Sequence, residues 1–192
     1  MRAFNASLVP RPELTLPPLP PTLDLEIGAG QGLHAVSYCA QNPERTLIAV
    51  EKTHTRFHQL QRRHQAHLHL TNLLPVHADA AAFVTHHLPE NSLERIFLLY
   101  PNPYPKAKQS NLRWHNRPFF QLLLTRLKPG GELTLATNLE WYAEEAQRQL
   151  CDHWHLQSLE YRPYQQQPRT HFEKKYLARG ERCWNLLLRK IQ

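Results

Sequence analysis

The sequence has few cysteines, and their placement limits the class of protein. Cys39, Cys151 and Cys183 are odd in number and far apart in the chain. The sequence therefore predicts neither a disulfide framework nor a zinc site of the C-x-x-C type. A reducing compartment is the default for such a chain, and we expect a cytoplasmic protein.

Long apolar runs are also missing. No stretch approaches the roughly 20 apolar residues that a membrane-spanning helix needs, and the first residues lack the charged-then-apolar order of a signal peptide. We expect a soluble protein without a membrane partner. Its 192 residues are enough for one domain with a substantial core but too few for two such domains.

Negative charge is scarce, with 16 acidic residues against 23 lysines and arginines and a net charge of +7. This excess favours a polyanionic partner such as nucleic acid, although many basic proteins bind no polyanion. The 13 histidines include His54 and His58 at helical i, i+4 spacing, but no Glu or Cys completes a known zinc pattern. A solvated helix face is the preferred interpretation, and no metal site is predicted.

The order of prolines and apolar segments predicts the domain organisation. Six prolines between Pro10 and Pro21 indicate an extended arm over residues 1–22, followed by a folded domain over residues 23–192. Apolar segments then predict strands at 23–27, 46–50, 73–77, 93–99, 132–137, 155–160 and 183–189. Helical patterns alternate with them at 33–40, 53–67, 80–87, 116–127 and 140–150. This alternation predicts an α/β fold with a mainly parallel sheet, helices on both faces and a ligand at the carboxyl ends of the strands.

Glycine is scarce too, and five of the six glycines fall in two places. Gly28, Gly30 and Gly32 directly follow the first predicted strand, where missing side chains would let a ligand approach the backbone. The spacing G-x-G-x-G suits a nucleoside-type cofactor without a pyrophosphate. In the dinucleotide motif the third glycine comes one residue later, and the helix N-terminus binds the diphosphate.

Two acidic residues stand at the ends of predicted strands. Glu51 lies 19 residues beyond Gly32, about where an acid accepts hydrogen bonds from ribose hydroxyls in this architecture. The alternative is a solvated acid that caps the next helix. Asp79 follows the third strand, where an adenine ring could lie. It is also placed as a helix N-cap, and the two roles are compatible.

A proline-rich segment follows the fourth predicted strand. It runs Tyr100-Pro101-Asn102-Pro103-Tyr104-Pro105-Lys106, and its prolines would fix Asn102 and Tyr104 over the sheet edge at little entropic cost. Basic residues that include Lys106 and Arg113 come next, interleaved with Trp114 and His115, a mixture suited to phosphates and stacked bases. An ordinary solvated surface loop is the alternative.

These motifs together resemble class I S-adenosylmethionine-dependent methyltransferases, and within them the tRNA (guanine-N7)-methyltransferase family. The glycine turn and the Lys128-Pro129-Gly130-Gly131 motif are common to many methyltransferases. The proline-rich segment and the Thr-x-Phe-Glu element at 170–173 are much more specific. The resemblance implies a Rossmann-like fold, a seven-stranded mainly parallel sheet with an antiparallel last strand.

The resemblance also implies roles for individual residues, with S-adenosylmethionine as cofactor and tRNA as partner. The residues that would bind the cofactor are Glu26, Gly28, Gly30, Gly32, Glu51 and Asp79. Those that would contact the substrate are Tyr104, Lys106, Arg113, Thr170 and Glu173, and those placed at the reacting base are Asn102 and Asn138.

The chain departs from the family at these last two positions, because the family usually has Asp where this chain has Asn102 and Asn138. Tyr104 also replaces the family's Trp. Neutral amides keep an acceptor oxygen but lose the charge, and charged hydrogen bonds are roughly twice as strong. Three functions therefore stay open: a guanine-N7 tRNA methyltransferase, a methyltransferase for another nucleobase or a small molecule, and a non-catalytic binder of S-adenosylmethionine or RNA.

Overall fold

A computed structural model describes residues 3–164 and 166–191. In this part of the chain the strands are β1 (Leu23–Ile27), β2 (Thr46–Glu51), β3 (Leu73–His77), β4 (Leu93–Leu99), β5 (Leu127–Thr137), β6 (Leu156–Pro163) and β7 (Trp184–Lys190). The α-helices are α1 (Leu33–Gln41), α2 (His54–Gln65), α3 (Ala80–His87), α4 (Phe119–Arg126), α5 (Glu140–Arg148) and α6 (His171–Leu177).

The strands form one sheet in the order β3-β2-β1-β4-β5-β7-β6. Every pair from β3 to β5 is parallel, whereas β7 runs antiparallel to both β5 and β6. The predicted mainly parallel seven-stranded sheet with an antiparallel last strand is confirmed. The chain moves outward in one direction from β1 to β3 and in the other from β4, so the crevice for a ligand lies at the carboxyl end of β1.

Apolar side chains fill a core on each face of the sheet, because successive residues of a strand point to opposite faces. In β2, Ile48 and Val50 join one core, and Leu47 and Ala49 join the other. Helices α3, α4 and α5 cover the first core, and α1 and α2 cover the second. Helices on both faces are therefore confirmed.

The prediction was wrong around the adjacent glycines Gly130 and Gly131. The helix expected over 116–127 begins at Phe119, after a single 3-10 turn at Trp114–Asn116. Lys128–Gly131, which the predicted segments leave between this helix and the strand at 132–137, belongs instead to β5, where Leu93 pairs with Leu127 and Arg95 with Glu132. The intervening residues form a bulge, which Gly130 allows by adopting φ +78°.

The N-terminal segment packs on the domain. Residues 3–22 hold one 3-10 turn, Ala6–Leu8, and the ring of Phe4 meets that of Phe119 edge-on at 5.4 Å. The Nε2 atom of His86 lies 2.8 Å from the carbonyl of Val9. The division into an arm over 1–22 and a domain over 23–192 stays a prediction, and residues 1, 2, 165 and 192 lie outside the described residues.

Candidate active site

The glycine turn after β1 is fixed to the neighbouring strand. The amides of Gly28 and Ala29 donate to the carbonyl of Val50 over 2.8 and 3.0 Å. Gly28 and Gly30 have φ values of +76° and +57°, a region that L side chains rarely adopt. A Cβ added at either glycine would meet no atom within 4 Å, so the bare backbone faces open space. This surface fits a ligand that approaches the main chain.

Gly32 has a different role from the predicted contact with the cofactor. It is the N-cap of α1, with φ +77°, and a Cβ there would collide with the side chain of Leu60 on α2. It does not line the cavity beside the turn. Its missing side chain therefore allows α1 and α2 to pack closely.

Glu51 closes the turn from the end of β2. Its side chain is buried, and its Oε2 atom accepts from the amide of Gly30 at 2.8 Å. Its Oε1 atom accepts from the amide of Thr53 at 2.7 Å. The alternative of a solvated acid is thus wrong. Because each carboxylate oxygen has a second lone pair, Glu51 can still accept from a ligand.

Glu26 lies at the end of β1, buried against α1. Its Oε2 atom is 3.1 Å from Nδ1 of His34, and both residues line the cavity. The sequence reasoning did not identify His34. Its signal was the i, i+8 spacing across the glycine turn, which places the first turn of α1 beside the end of β1.

Asp79 is the N-cap of α3, as the alternative interpretation predicted. Its Oδ1 atom accepts from the amides of Ala81 and Ala82, and its Oδ2 atom pairs with Lys52 at 3.0 Å. Burial alone would raise the pKa of Asp79. The hydrogen bonds from Lys52 and from the helix amides outweigh burial, so the pKa lies below its ordinary value. Asp79 does not line the cavity, so a role at an adenine ring stays a prediction.

The proline-rich segment is strained at its two aromatic residues. Tyr100 and Tyr104 have φ values of +55° and +45°, which cost free energy for residues with a Cβ. Asn102 helps to hold the turn, because its Oδ1 atom accepts from the amide of Tyr104 at 3.2 Å. Its side chain remains exposed. Lys106, at the end of the segment, is also exposed and free to meet an anion.

Arg113 holds this segment from below, which differs from the predicted contact with substrate. Its guanidinium is buried and donates to the carbonyls of Pro103 and Tyr104 at 3.2 and 3.0 Å. It also pairs with Glu145 on α5. Burial raises the pKa of Glu145, but the hydrogen bond from Asn116 and the nearby cation more than offset this and lower it. Arg113 therefore positions the loop and does not face a phosphate.

Helix α6, which the sequence analysis missed, fixes the other wall. Thr170 caps it by accepting from the amide of Glu173 at 3.0 Å. The carboxylate of Glu173 is fully buried. Its Oε1 atom accepts from Nη2 of Arg169 and from the hydroxyl of Tyr100, each at 2.7 Å. Burial and this carboxylate raise the pKa of Tyr100. Glu173 thus anchors α6 to the proline-rich segment and is not open to a substrate; the Thr-x-x-Glu spacing of a capping box was the missed signal.

Two cavities meet at this edge of the sheet. The first, of about 360 Å³, lies over the glycine turn and includes Glu26, Gly28, Gly30, Glu51 and Thr170 in its walls. The second, of about 400 Å³, lies beside it and includes Thr137, Asn138 and Tyr176. The residues that line both are Arg56, Tyr100, Pro101, Asn102 and Phe172. Ligands in the two cavities would therefore share these five residues as a common wall.

Residues 3–164 and 166–191 provide neither a metal site nor a membrane-spanning helix. No cluster of three or more side chains there has the composition and proximity to hold a metal ion. Within the same ranges, no helix combines the length and apolar character needed to cross a bilayer.

The fold and the glycine-walled cavity define a class I S-adenosylmethionine-dependent methyltransferase. Among solved structures, the 16S rRNA methyltransferase KamB matches with a TM-score of 0.64 and 16% identity, over 88% of this chain and 87% of that one. A SAM-dependent methyltransferase from Aquifex aeolicus matches with a TM-score of 0.61 and 13% identity, over 89% and 83%. At these identities the likeness concerns the fold alone.

Sequence comparison specifies the family. Residues 21–186 match the model of a family described as "Putative methyltransferase". The tRNA (guanine-N(7)-)-methyltransferase of Nitrosomonas eutropha is 35% identical over 86% of this chain and 75% of its own length. That of Nitrosospira multiformis is 33% identical over 88% and 74%. The chain belongs to the tRNA (guanine-N7)-methyltransferase family.

Proposed function

We propose that the protein transfers a methyl group from S-adenosylmethionine to N7 of a guanine in tRNA. The observation that carries this proposal is the pair of adjoining cavities, one walled by the bare backbone of Gly28 and Gly30 and the other by the loop around Asn102. Two ligands that exchange a group must lie in contact, and alignment of the reacting atoms can supply much of the rate.

Glu26, Gly28, Gly30 and Glu51 are the residues that would hold the cofactor. The turn offers main chain without side chains, and Glu51 offers buried acceptor oxygens at the end of β2. When bound, S-adenosylmethionine supplies an electrophilic methyl group attached to a sulfonium. The chain would add no general base to this chemistry, because guanine N7 already has a lone pair in the plane of the base.

The proposed task of Asn102 and Asn138 is to accept hydrogen bonds from the acceptor base and to support the positive charge that develops on it. Asn102 lines both cavities, and Asn138 follows β5 at the edge of the second. Tyr104, Lys106 and Thr170 would contact the RNA around them. The same proposal places the protein in the cytoplasm, where tRNA is modified.

The test is incubation with methyl-labelled S-adenosylmethionine and bulk tRNA, followed by digestion and identification of the labelled nucleoside by mass spectrometry. The expected product is 7-methylguanosine. Label on another nucleobase or on a small molecule would support a changed substrate. Cofactor binding in calorimetry without transfer to any RNA would support a non-catalytic binder.

A further inference from the structure

The described residues that line the second cavity carry no negative charge, although the proposed reaction creates a positive charge on the acceptor base. The walls of this cavity include one cation, Arg56, and no carboxylate among the described residues that line it. Methylation at N7 leaves a positive charge on a purine that was neutral. Negative charge placed in advance near that base would stabilise the transition state, because it needs no reorganisation during the reaction.

A carboxylate lies one hydrogen bond behind this wall. The Nδ2 atom of Asn138 donates to Oε2 of Glu181 at 2.7 Å. The backbone of Glu181 is fixed in turn, since its amide donates to the carbonyl of Tyr176 near the end of α6 at 3.1 Å. The connection between α6 and β7 thus brings Glu181 to Asn138, the residue that directly follows β5.

This contact fixes the orientation of the Asn138 amide. An ionised carboxylate only accepts hydrogen bonds, so the amide must turn its NH₂ group toward Glu181. The Oδ1 atom is then the one left to accept from a ligand, such as the N1–H or amino group of a guanine. A hydrogen bond to an ionised group is stronger than a neutral one and also polarises the amide oxygen.

Glu181 is also less neutralised than the other acid nearby. Glu173 is fully buried and paired with Arg169 at 2.7 Å, so its charge is compensated at close range. The nearest cation to Glu181 in an ion pair is Arg179, with Nη1 at 3.8 Å, and 35% of the Glu181 side chain is exposed. The charge of Glu181 is therefore the one available to the acceptor site.

We propose that Glu181 is a positioning residue for methyl transfer. It fixes Asn138 as a hydrogen-bond acceptor and places a negative charge behind the acceptor base. The inference rests on the proposed function, because it concerns the base that this function places in the second cavity. The proposal predicts that residues 138 and 181 act together: one side chain must carry the negative charge, and the other must donate a hydrogen bond to it.

The first experiment removes the charge and keeps the shape. Glu181→Gln should lower kcat for tRNA methylation by about tenfold, with KM for tRNA and the affinity for S-adenosylhomocysteine unchanged. Glu132→Gln is the matched control. It removes the same charge from β5, where Glu132 pairs with Arg189 at 2.8 Å, six residues before Asn138. Its kcat should equal that of the unmodified protein.

The second experiment moves the charge across the pair. Asn138→Asp alone places two carboxylates at hydrogen-bond distance and should lower kcat, because like charges repel at close range. Combining Asn138→Asp with Glu181→Gln restores one donor and one charge, and should return kcat to the original value or above it. Thermal unfolding of each variant separates these effects from misfolding.

Three results would overturn the inference: full kcat in Glu181→Gln with only a lower Tm, an equal loss of kcat in Glu132→Gln, or a double variant no more active than Asn138→Asp. A failure of the proposed function looks different, because the unmodified protein would then transfer no methyl group to tRNA guanine.

Discussion

The two cavities at the carboxyl edge of the sheet are built by different means. The first is shaped by main chain: Gly28 and Ala29 are fixed to Val50, and Glu51 binds the amide of Gly30. The second is shaped by side chains that reach it from distant parts of the sequence, such as Arg56 and Tyr176, and by a loop that Arg113 holds from below. The turn and the acid that shape one side of the first cavity therefore come from residues 26–51, whereas the second cavity depends on segments far apart in the chain.

The largest effect is expected from filling the first cavity at the glycine turn. Gly30→Val would force a branched residue to φ +57° and project its side chain into the cavity. We expect cofactor affinity to fall by at least about 100-fold, from strain and steric exclusion together. Calorimetry with S-adenosylhomocysteine measures it.

Gly130→Val is the matched control for this variant. Gly130 has a similar φ of +78°, and a Cβ there also meets nothing within 4 Å, but it lies in the bulge of β5 outside both cavities. Its cofactor affinity should be unchanged. An equal loss of affinity in both variants would show that backbone strain, and not access to the cavity, explains the result.

The next largest effect is expected from loosening the loop that lines the second cavity. Arg113→Met removes the donor that holds the carbonyls of Pro103 and Tyr104 and leaves the partly buried Glu145 without this partner. We expect a loss of about 2 kcal/mol in the free energy of unfolding, measured by urea denaturation. The value of kcat/KM for tRNA should fall while cofactor affinity stays within about twofold.

Arg117→Met is the control for the same segment, since Arg117 packs on the ring of Trp114 at 4.7 Å instead of holding the loop. It should change kcat/KM far less than Arg113→Met. If Arg113→Met weakened cofactor binding as much as it weakened transfer, the two cavities would not be separable in this way.

Acid should destabilise the packing beneath the proline-rich segment, because the fully buried His115 lies against Glu145, the partner of Arg113. Burial lowers the pKa of His115 from 6.5 to about 4, although Glu145, 3.4 Å away, opposes this. The unfolded chain therefore binds the proton more readily, and stability falls as pH drops from 6.5 toward 4. Between pH 7 and pH 5 we expect this residue to cost about 2 kcal/mol.

His115→Phe removes the titrating group and keeps a ring against Tyr142, which now lies 4.9 Å away edge-on. Urea denaturation at both pH values should show a smaller loss on acidification for this variant. An identical loss in both proteins would assign the acid sensitivity to other groups.

The smallest effect is expected at Lys106, the exposed residue that ends the proline-rich segment. Lys106→Ala should weaken binding of tRNA modestly and reduce the slope of log affinity against log salt by about one unit, as expected for one lost phosphate contact. Lys128→Ala is a suitable control, because Lys128 pairs with Glu94 near the amino end of β4. An unchanged slope for Lys106→Ala would mean that this lysine is only a solvated surface charge.

The sequence predicted the parts of the fold that depend on local pattern. Short apolar runs predicted the strands and helical patterns predicted the helices between them, since parallel strands with helices on both faces are buried on both sides, as in β1. It missed α6, because seven residues with a polar majority carry little helical periodicity. It also left Lys128–Gly131 out of the fifth strand, because a bulge can include the same proline and glycines that end a helix.

The candidate site divides in the same way. The glycine turn and the buried acid at Glu51 follow from residues close to one another in the sequence, and their geometry agrees with a cofactor site. The orientations of Arg113 and Glu173 do not follow from sequence, because a charged residue in a basic, aromatic segment is as consistent with a solvent-exposed contact as with a buried one. The assignments of individual residues to cofactor and substrate stay predictions.

The sequence by itself determined the strand-turn-helix unit that exposes bare main chain, because backbone conformation at glycine and strand burial are set by neighbouring residues. Only the tertiary structure decided which charges face inward. The carboxylate of Glu173 meets Tyr100, 73 residues away, and Asn138 meets Glu181, 43 residues away. Such pairs form only after the sheet has brought these segments together, and burial of the Glu173 charge is favourable only because its partners are in place.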